Sequence, residues 1–162
     1  MSVNSHKSHV FALPEDKANS QLAIGFRRDP SVSDRNIDVL DVAGGWLKVL
    51  ETFKSVHVRG MDANQNRFMV LLIDFDGHSG RLERAKAAIP NNLSDRVFVL
   101  GVWTEPEELK RDLGSYETIG KAMAKDCREG TDTIWGHALL RHNASEIDRV
   151  RRHVRPILFQ SI

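Results

Sequence analysis

The sequence predicts one α/β domain with a roughly four-stranded, mostly parallel sheet flanked by helices. Apolar stretches of strand length alternate with segments of helical periodicity, and 162 residues are enough to bury one core. Parallel neighbouring strands need crossover connections, which helices normally supply. We expect a three-layer α/β core over residues 1–113 and a helical C-terminal extension over residues 114–162, packed on the same domain.

The first half of the chain contains two predicted strands, each followed by a helix. His9–Leu13 is a short apolar strand, and Lys17–Arg28 carries apolar residues four positions apart, as on one face of a helix. Ile37–Val42 is the second strand, and it runs into Gly44 and Gly45, which permit a tight turn or close backbone approach. A second helix with a strongly apolar face is predicted after the glycines.

The second half begins with a polar loop over residues 60–66, followed by the most apolar strand, Phe68–Ile73. Six consecutive apolar residues are typical of a strand that is buried on both faces. A third helix ends before Pro90, and Arg96–Trp103 is the fourth strand. The pattern therefore repeats, and it predicts four strands in all.

Two further helix starts are indicated by polar residues three positions before a glutamate. Thr104 and Glu107 fit a capping box, and Asn143 and Glu146 form a plausible second cap for a last helix that runs to about residue 155. A helix between these two continues up to the segment 128–137, which is predicted as a loop. Residues 156–159, PILF, are expected to form a short strand or a packed tail.

Two carboxylates follow the most apolar strand directly. Asp74 and Asp76 are separated by one residue, so in a strand they would point to the same side at its carboxyl end. Ligand sites of open α/β sheets lie at that edge. Close carboxylates favour a divalent cation between them, or one shared proton. The alternative is a pair of solvated turn residues, since Asp76-Gly77 is common turn chemistry.

Composition gives weaker indications. The 23 basic and 22 acidic residues leave a net charge of +1, so bulk charge assigns no partner. The single Cys127 excludes an internal disulfide, and it is expected to be a small core residue. The first residues lack the apolar core of a signal peptide, and no run approaches the ~20 apolar residues of a membrane span. We therefore expect a cytoplasmic protein that does not enter a membrane.

The residues after the predicted strands form an ordered set with a family resemblance. They are Glu15 after the first strand, Gly44 and Gly45 after the second, Asp74 and Asp76 after the third, and Glu105 after the fourth. This order resembles the Toprim domain over roughly residues 8–113. That domain occurs in topoisomerases, bacterial primases, nucleases of the overcoming-lysogenization-defect type and small nuclease-like proteins linked with phage defence.

The resemblance implies a Toprim-like fold and Mg²⁺-dependent or Mn²⁺-dependent cleavage of nucleic-acid phosphodiesters, in a setting such as bacterial anti-phage defence. It implies that Glu15 is the general acid or base and that Asp74 and Asp76 hold the metal. Glu105 or Glu108 would complete the acidic site. Small members of the family often work with an ATPase or another effector, so a protein partner is also implied.

Arginines of the last predicted helix are candidates for contacts with a nucleic-acid backbone. They are Arg149, Arg151, Arg152 and Arg155. Phosphate binding needs cations rather than base readout, so the helix would have to dock near the acidic edge. The alternative is a solvated helix face, with Ile147, Val150 and Val154 on the buried side.

Two other functions remain open from the sequence. The segment LLIDFDG resembles the first motif of haloacid-dehalogenase-like phosphohydrolases, in which the first aspartate is the nucleophile. That motif, however, lies near the N-terminus in the family, whereas here it ends the third strand. A non-catalytic Toprim-like or receiver-like module would bind a metal or a partner without turnover.

Overall fold

The computed structural model describes residues 3–159, which form a four-stranded parallel sheet with helices on both faces. The strands are β1 (His9–Pro14), β2 (Ile37–Val39), β3 (Arg67–Leu72) and β4 (Val97–Leu100). Their spatial order is β2-β1-β3-β4, and all three pairings are parallel. The predicted α/β fold class is therefore confirmed, although β2 and β4 are shorter than the sequence indicates.

The helices connect the strands as the periodicity predicts. They are α1 (Lys17–Arg28), α2 (Trp46–Thr52), α3 (Val58–Ala63), α4 (Ser79–Ala87), α5 (Pro106–Leu113), α6 (Tyr116–Glu129), α7 (Ala144–His153) and α8 (Arg155–Leu158). A π-helical turn, Phe53–His57, joins α2 to α3. The prediction of a loop over residues 60–66 was wrong at its start, because α3 continues to Ala63.

Apolar side chains alternate between the two faces of the sheet, as the pleat requires. In β3, Val70 belongs to the core under α1, α6 and α7, whereas Met69 and Leu71 belong to the core under α2, α3 and α4. In β4, Phe98 and Val99 divide in the same way. Both faces are buried, which explains why the strands are near-continuous apolar runs.

The strand order creates a switch point between β1 and β3. β1 connects through α1 to β2 on one side, while β3 connects through α4 to β4 on the other side. The two connections therefore diverge, which leaves a crevice at the carboxyl ends of β1 and β3. In open α/β sheets such a crevice is the preferred place for a ligand.

β4 is an edge strand, and α7 covers its free side with polar side chains. Glu146 Oε1 accepts a hydrogen bond from Val99 N at 2.9 Å, and Asn143 Oδ1 accepts from Gly101 N at 3.2 Å. The Asn143 amide also donates to the Gly101 carbonyl at 2.9 Å. These contacts replace a fifth strand and protect the edge from pairing with another chain.

Both predicted helix starts are confirmed, since α5 begins at Pro106 and α7 at Ala144, but neither predicted capping hydrogen bond is made. Asn143 precedes α7 but makes no capping hydrogen bond, because its side chain is engaged with β4. Glu105, rather than Thr104, precedes α5, and the Thr104 hydroxyl donates to Glu108 instead. The cap of α1 was not predicted: Asp16 Oδ1 accepts from Asn19 N at 3.0 Å.

The C-terminal part packs against the same core as the sheet. Ile147 and Val150 of α7 and Leu158 of α8 are buried together with Val10 of β1. Residues 156–158 belong to the short helix α8 instead of a strand, and Phe159 after it makes an isolated antiparallel bridge with Val32. Within residues 3–159, no helix has the length and apolar composition to span a membrane.

Candidate functional site at the carboxyl edge of β1 and β3

The centre of the candidate site is a contact between Glu15 and Asp74, which lie 59 positions apart in the chain. Ile73 and Phe75 turn their N–H groups toward β4 and the segment after it, where they donate to the carbonyls of Leu100 and Val102. The N–H of Asp74 therefore faces β1. The chain of β1 has already turned away there, and Glu15 Oε2 accepts this N–H at 2.6 Å in place of a backbone carbonyl.

Asn19 links Asp74 to a second carboxylate. Its side-chain nitrogen donates to Asp74 Oδ1 at 2.9 Å and to Asp16 Oδ1 at 3.0 Å. The two carboxylate oxygens therefore lie within about 6 Å of each other, since both contact one nitrogen. Asn19 is buried on the inner face of α1, so it fixes the positions of both carboxylates.

The pKa values of the two central carboxyls are raised. Burial, opposed by the hydrogen bond from Asn19 and aided by the nearby charges of Glu15, Asp16 and Glu107, raises the pKa of Asp74 to about 7. Burial also raises the pKa of Glu15, although the N–H of Asp74 opposes the shift. The site therefore concentrates negative charge in a partly desolvated place, and such shifts are common at functional sites.

Asp76 and Arg81 form the outer part of the site. Asp76 has a left-handed backbone, with φ at 51°, and its side chain is exposed. Arg81 reaches back from α4, so that Nη1 donates to the Asp74 carbonyl at 2.8 Å and Nη2 lies 3.5 Å from Asp76 Oδ2. The chain thus leaves the strand direction before Asp76, and the two aspartate side chains have different partners.

Gly44 and Gly45 lie against the end of β1. Their N–H groups both donate to the Glu15 carbonyl, at 2.9 and 3.2 Å, and both residues have positive φ. The predicted close backbone approach is thus to Glu15 itself, and it positions the first turn of α2 beside the site.

The acids after β4 are arranged differently from the expectation. Glu105 is exposed at the start of α5, and Glu108 Oε2 accepts a hydrogen bond from the Thr104 hydroxyl at 3.0 Å. Glu107 is the member of this group whose charge raises the pKa of Asp74. Tyr116 also lies near, because the charges of Glu107, Asp16 and Asp74 add to burial in raising its pKa.

Of the four candidate arginines of the C-terminal helices, two contact other residues of the fold and two are exposed. Arg149 donates to Glu146 and to the carbonyl of Ser94, just before β4, so it lies at the amino edge of the sheet, opposite the carboxylates. Arg151 donates to the Thr131 carbonyl and pairs with Asp132. Arg152 and Arg155 are exposed.

The carboxylates at the switch point fit a divalent cation of the magnesium type. In residues 3–159, no three His, Cys, Asp or Glu side chains form a complete metal-binding group. Mg²⁺, however, keeps several waters and needs only one or two carboxylates together with ligand phosphates. Asp74 and Asp16 each use one oxygen for Asn19, which leaves the other oxygen of each carboxylate outside these contacts.

The sequence predicted Glu15 and Asp74 as site residues, but it did not predict three residues that contact them or their neighbours. Asp16 and Asn19 had a local signal, since an aspartate three positions before a polar residue at a helix start is a typical cap. Arg81 had none, because only the turn of the chain at Asp76 brings α4 back to the strand end.

Comparisons of the chain with family models, with curated proteins and with solved structures found no match.

Proposed function

We propose that this protein cleaves nucleic-acid phosphodiester bonds with Mg²⁺ or Mn²⁺ at the carboxyl edge of β1 and β3. The observation that carries the proposal is the contact of Glu15 with Asp74 at the switch point of the sheet, next to Asp16. The Toprim resemblance adds support, because it implies an acid after the first strand beside an aspartate of the third.

In this proposal Asp74 and Asp16 hold the cation, and Asp76 lies at the open side where a substrate would enter. The cation, when bound, would neutralise the phosphate oxygens of the scissile bond. Glu15 is the candidate general base: its carboxyl has a raised pKa, and Oε2 is already oriented by the N–H of Asp74. Arg81 orients the turn by its bond to the Asp74 carbonyl.

The raised pKa of Asp74 also supports cation binding. A carboxyl with a pKa of about 7 is half protonated at neutral pH, because its ionised form is poorly compensated by the residues around it. A divalent cation would supply the missing compensation. Cation affinity should therefore fall as the pH drops below 7, since protons compete for the same carboxylate.

The test is a cleavage assay with labelled single-stranded DNA, duplex DNA and RNA, in Mg²⁺, Mn²⁺ or EDTA. We expect metal-dependent cleavage that Asp74→Ala lowers at least 100-fold while the circular dichroism spectrum is unchanged. Asp148→Asn is the matched control, because Asp148 is an exposed acid on α7. Cleavage by Asp74→Ala at the rate of the unmodified protein would exclude this site.

A second candidate function is a module that binds a metal and a partner without turnover. The observation that favours it is that Glu15 already uses one oxygen to complete the sheet, while Glu105 and Glu108 are not joined to the central pair. Mg²⁺ binding that depends on Asp74, without cleavage of any tested nucleic acid, would support this module instead.

A further inference from the structure

A tryptophan and two arginines lie together beside the candidate site, where Trp46 and Arg81 are partly buried and Arg84 is exposed. Trp46 begins α2, and Arg81 and Arg84 lie one turn apart on α4. The guanidinium carbon of Arg81 is 4.8 Å from the centre of the Trp46 ring, and that of Arg84 is 5.8 Å away. We call these three residues the Trp46 surface.

The Trp46 surface is continuous with the carboxylates of the site. Arg81 donates to the Asp74 carbonyl at 2.8 Å, and Gly45, just before Trp46, donates to the Glu15 carbonyl at 3.2 Å. Both sides of the surface are therefore tied to the backbone that carries Glu15 and Asp74. A chain that lies across Trp46 would reach the acidic edge directly.

The charge of this surface is only partly neutralised. Arg81 pairs with Asp76, whereas Arg84 is exposed and forms no ion pair with a carboxylate of residues 3–159. Lys48, on the first turns of α2, is exposed as well, and its stem lies near Gly44. A planar aromatic ring with the unpaired cation of Arg84 beside it suits a ligand that has both flat rings and negative charges.

We propose that the Trp46 surface binds single-stranded nucleic acid, with a base stacked against the indole or the guanidinium planes and a phosphate on Arg84. Bases stack on aromatic and arginine side chains largely without regard to sequence, and backbone phosphates contact the cations. A duplex is the poorer ligand, because its paired and stacked bases cover their flat faces. The proposal rests on the proposed function for the position of the bond to be cut, but binding itself needs no metal.

The competing explanation is that Trp46 only closes the core. Trp46 is half-buried and packs against the apolar cluster that contains Phe53 and Leu71. Under that explanation, changes at Trp46 would lower stability, but changes at the exposed Arg84 would not alter binding. Arg84 therefore provides the variant that separates the two explanations.

The experiment measures the fluorescence anisotropy of a labelled 12-nucleotide oligothymidylate and of its duplex, in EDTA, over a range of salt concentrations. We expect Arg84→Ala to weaken binding of the single strand about threefold to tenfold and to lower the salt slope by about 0.7. Arg84→Glu should weaken it further, and Trp46→Phe should retain most of the affinity because the ring remains. Trp46→Ala should cost about tenfold or more, from lost stacking.

Arg35→Ala is the matched control, because Arg35 is an exposed arginine just before β2, at the opposite edge of the sheet. The proposal is overturned if Arg84→Glu binds the single strand as Arg35→Ala does, or if the duplex binds more tightly. Thermal melts of each variant confirm that the fold is retained.

The same set of proteins separates this proposal from the proposed function. If Arg84→Glu binds single strands more weakly than Asp74→Ala and Arg35→Ala do, and no protein cleaves them, the binding surface stands and the nuclease proposal fails. If the unmodified protein cleaves and Arg84→Glu cleaves single strands with an unchanged KM, the nuclease proposal stands and the binding surface fails.

Discussion

Replacing Asp74 by asparagine should make the protein more stable at pH 8 and leave its stability unchanged at pH 4. The asparagine keeps an oxygen that can accept from Asn19, as Asp74 Oδ1 does at 2.9 Å, and it leaves the N–H that donates to Glu15. It removes only the charge that appears on Asp74 as the pH rises. The difference in free energy of unfolding between the two proteins therefore measures how much that charge destabilises the fold.

The size of the expected stability difference follows from the pKa of Asp74. Burial first, and then the charges of Glu15, Asp16 and Glu107, raise the pKa of Asp74 from 3.8 to about 7 in the folded protein. At 1.36 kcal/mol per pH unit this span corresponds to about 4 kcal/mol. Because Asp74 is only half-buried, solvent screening reduces the expected difference to about 2 kcal/mol.

The direction of the pH dependence is determined by the raised pKa. Below pH 3.8 the carboxyl is protonated in both states, so Asp74 and its asparagine variant should differ little. As the pH rises toward 7, Asp74 ionises in the unfolded protein but stays largely protonated in the folded protein. The unmodified protein therefore loses stability over this range. The asparagine variant should gain relative stability over this range and reach its full advantage above pH 7.

The assay is urea unfolding of both proteins at pH 4, 6 and 8, with a ¹³C NMR titration of the Asp74 carboxyl as a direct measure of the pKa. At pH 8, 10 mM MgCl₂ should stabilise the unmodified protein and not the variant, by about 1.4 kcal/mol if the metal is at ten times its Kd. A stability difference that does not change from pH 4 to pH 8, with a titration midpoint near 4, would refute the reasoning.

Two further predictions concern the packing that supports the site. Glu146→Gln should destabilise the protein at pH 7 by about 2 kcal/mol, because the buried carboxylate accepts from Val99 N and pairs with Lys86 at 2.9 Å. Gly101→Ala should cost about 3 kcal/mol or more, since its added Cβ would lie 1.6 Å from the Ile73 carbonyl oxygen. Urea unfolding measures both.

The prediction for Glu146 is checked by its pH dependence, and the prediction for Gly101 is checked at a second glycine. Burial alone would raise the pKa of Glu146, but hydrogen bonds from Lys86 and Arg149 outweigh it and lower the pKa. The contribution of Glu146 should therefore be present at pH 7 and shrink as the pH falls below its unfolded value of 4.5. Gly80→Ala is the control for Gly101, because open space surrounds Gly80 in the first turn of α4, and it should change stability by less than about 0.5 kcal/mol. Equal effects at the two glycines would contradict the packing argument.

The local pattern of apolar residues in the sequence predicted much of the fold. The apolar runs of β1 and β3 and the four-residue periodicity of α1 are strong local signals, and they predicted these elements to within about one residue. The helix caps were predicted less accurately. Asn143 and Glu146 match a capping pattern, but the unpaired edge of β4 takes their side chains, because buried backbone N–H groups must find an acceptor.

The candidate site was predicted only in part. The sequence placed acids after β1 and β3, and parallel strands bring such ends to one edge of a sheet. It could not choose between Glu105 and Glu108 after β4, and it assigned Glu107 to a helix cap, since these choices depend on where α5 begins and which way each side chain points. It also made Arg149 a candidate for contacts with a nucleic-acid backbone, whereas Arg149 donates to Glu146 at the amino edge of the sheet.

Local pattern was enough to predict that Glu15 follows β1 and that Asp74 follows β3, because burial on both faces makes each strand a run of apolar residues that stops where solvent begins. Three contacts could be seen only in the folded chain: Glu15 accepts the N–H of Asp74, Asn19 joins Asp74 to Asp16, and Arg81 lies over the Trp46 ring. The physical reason is that strand order and helix docking are set by long-range packing. Local periodicity reports which face of an element is buried, but it carries no information about the partner across the sheet.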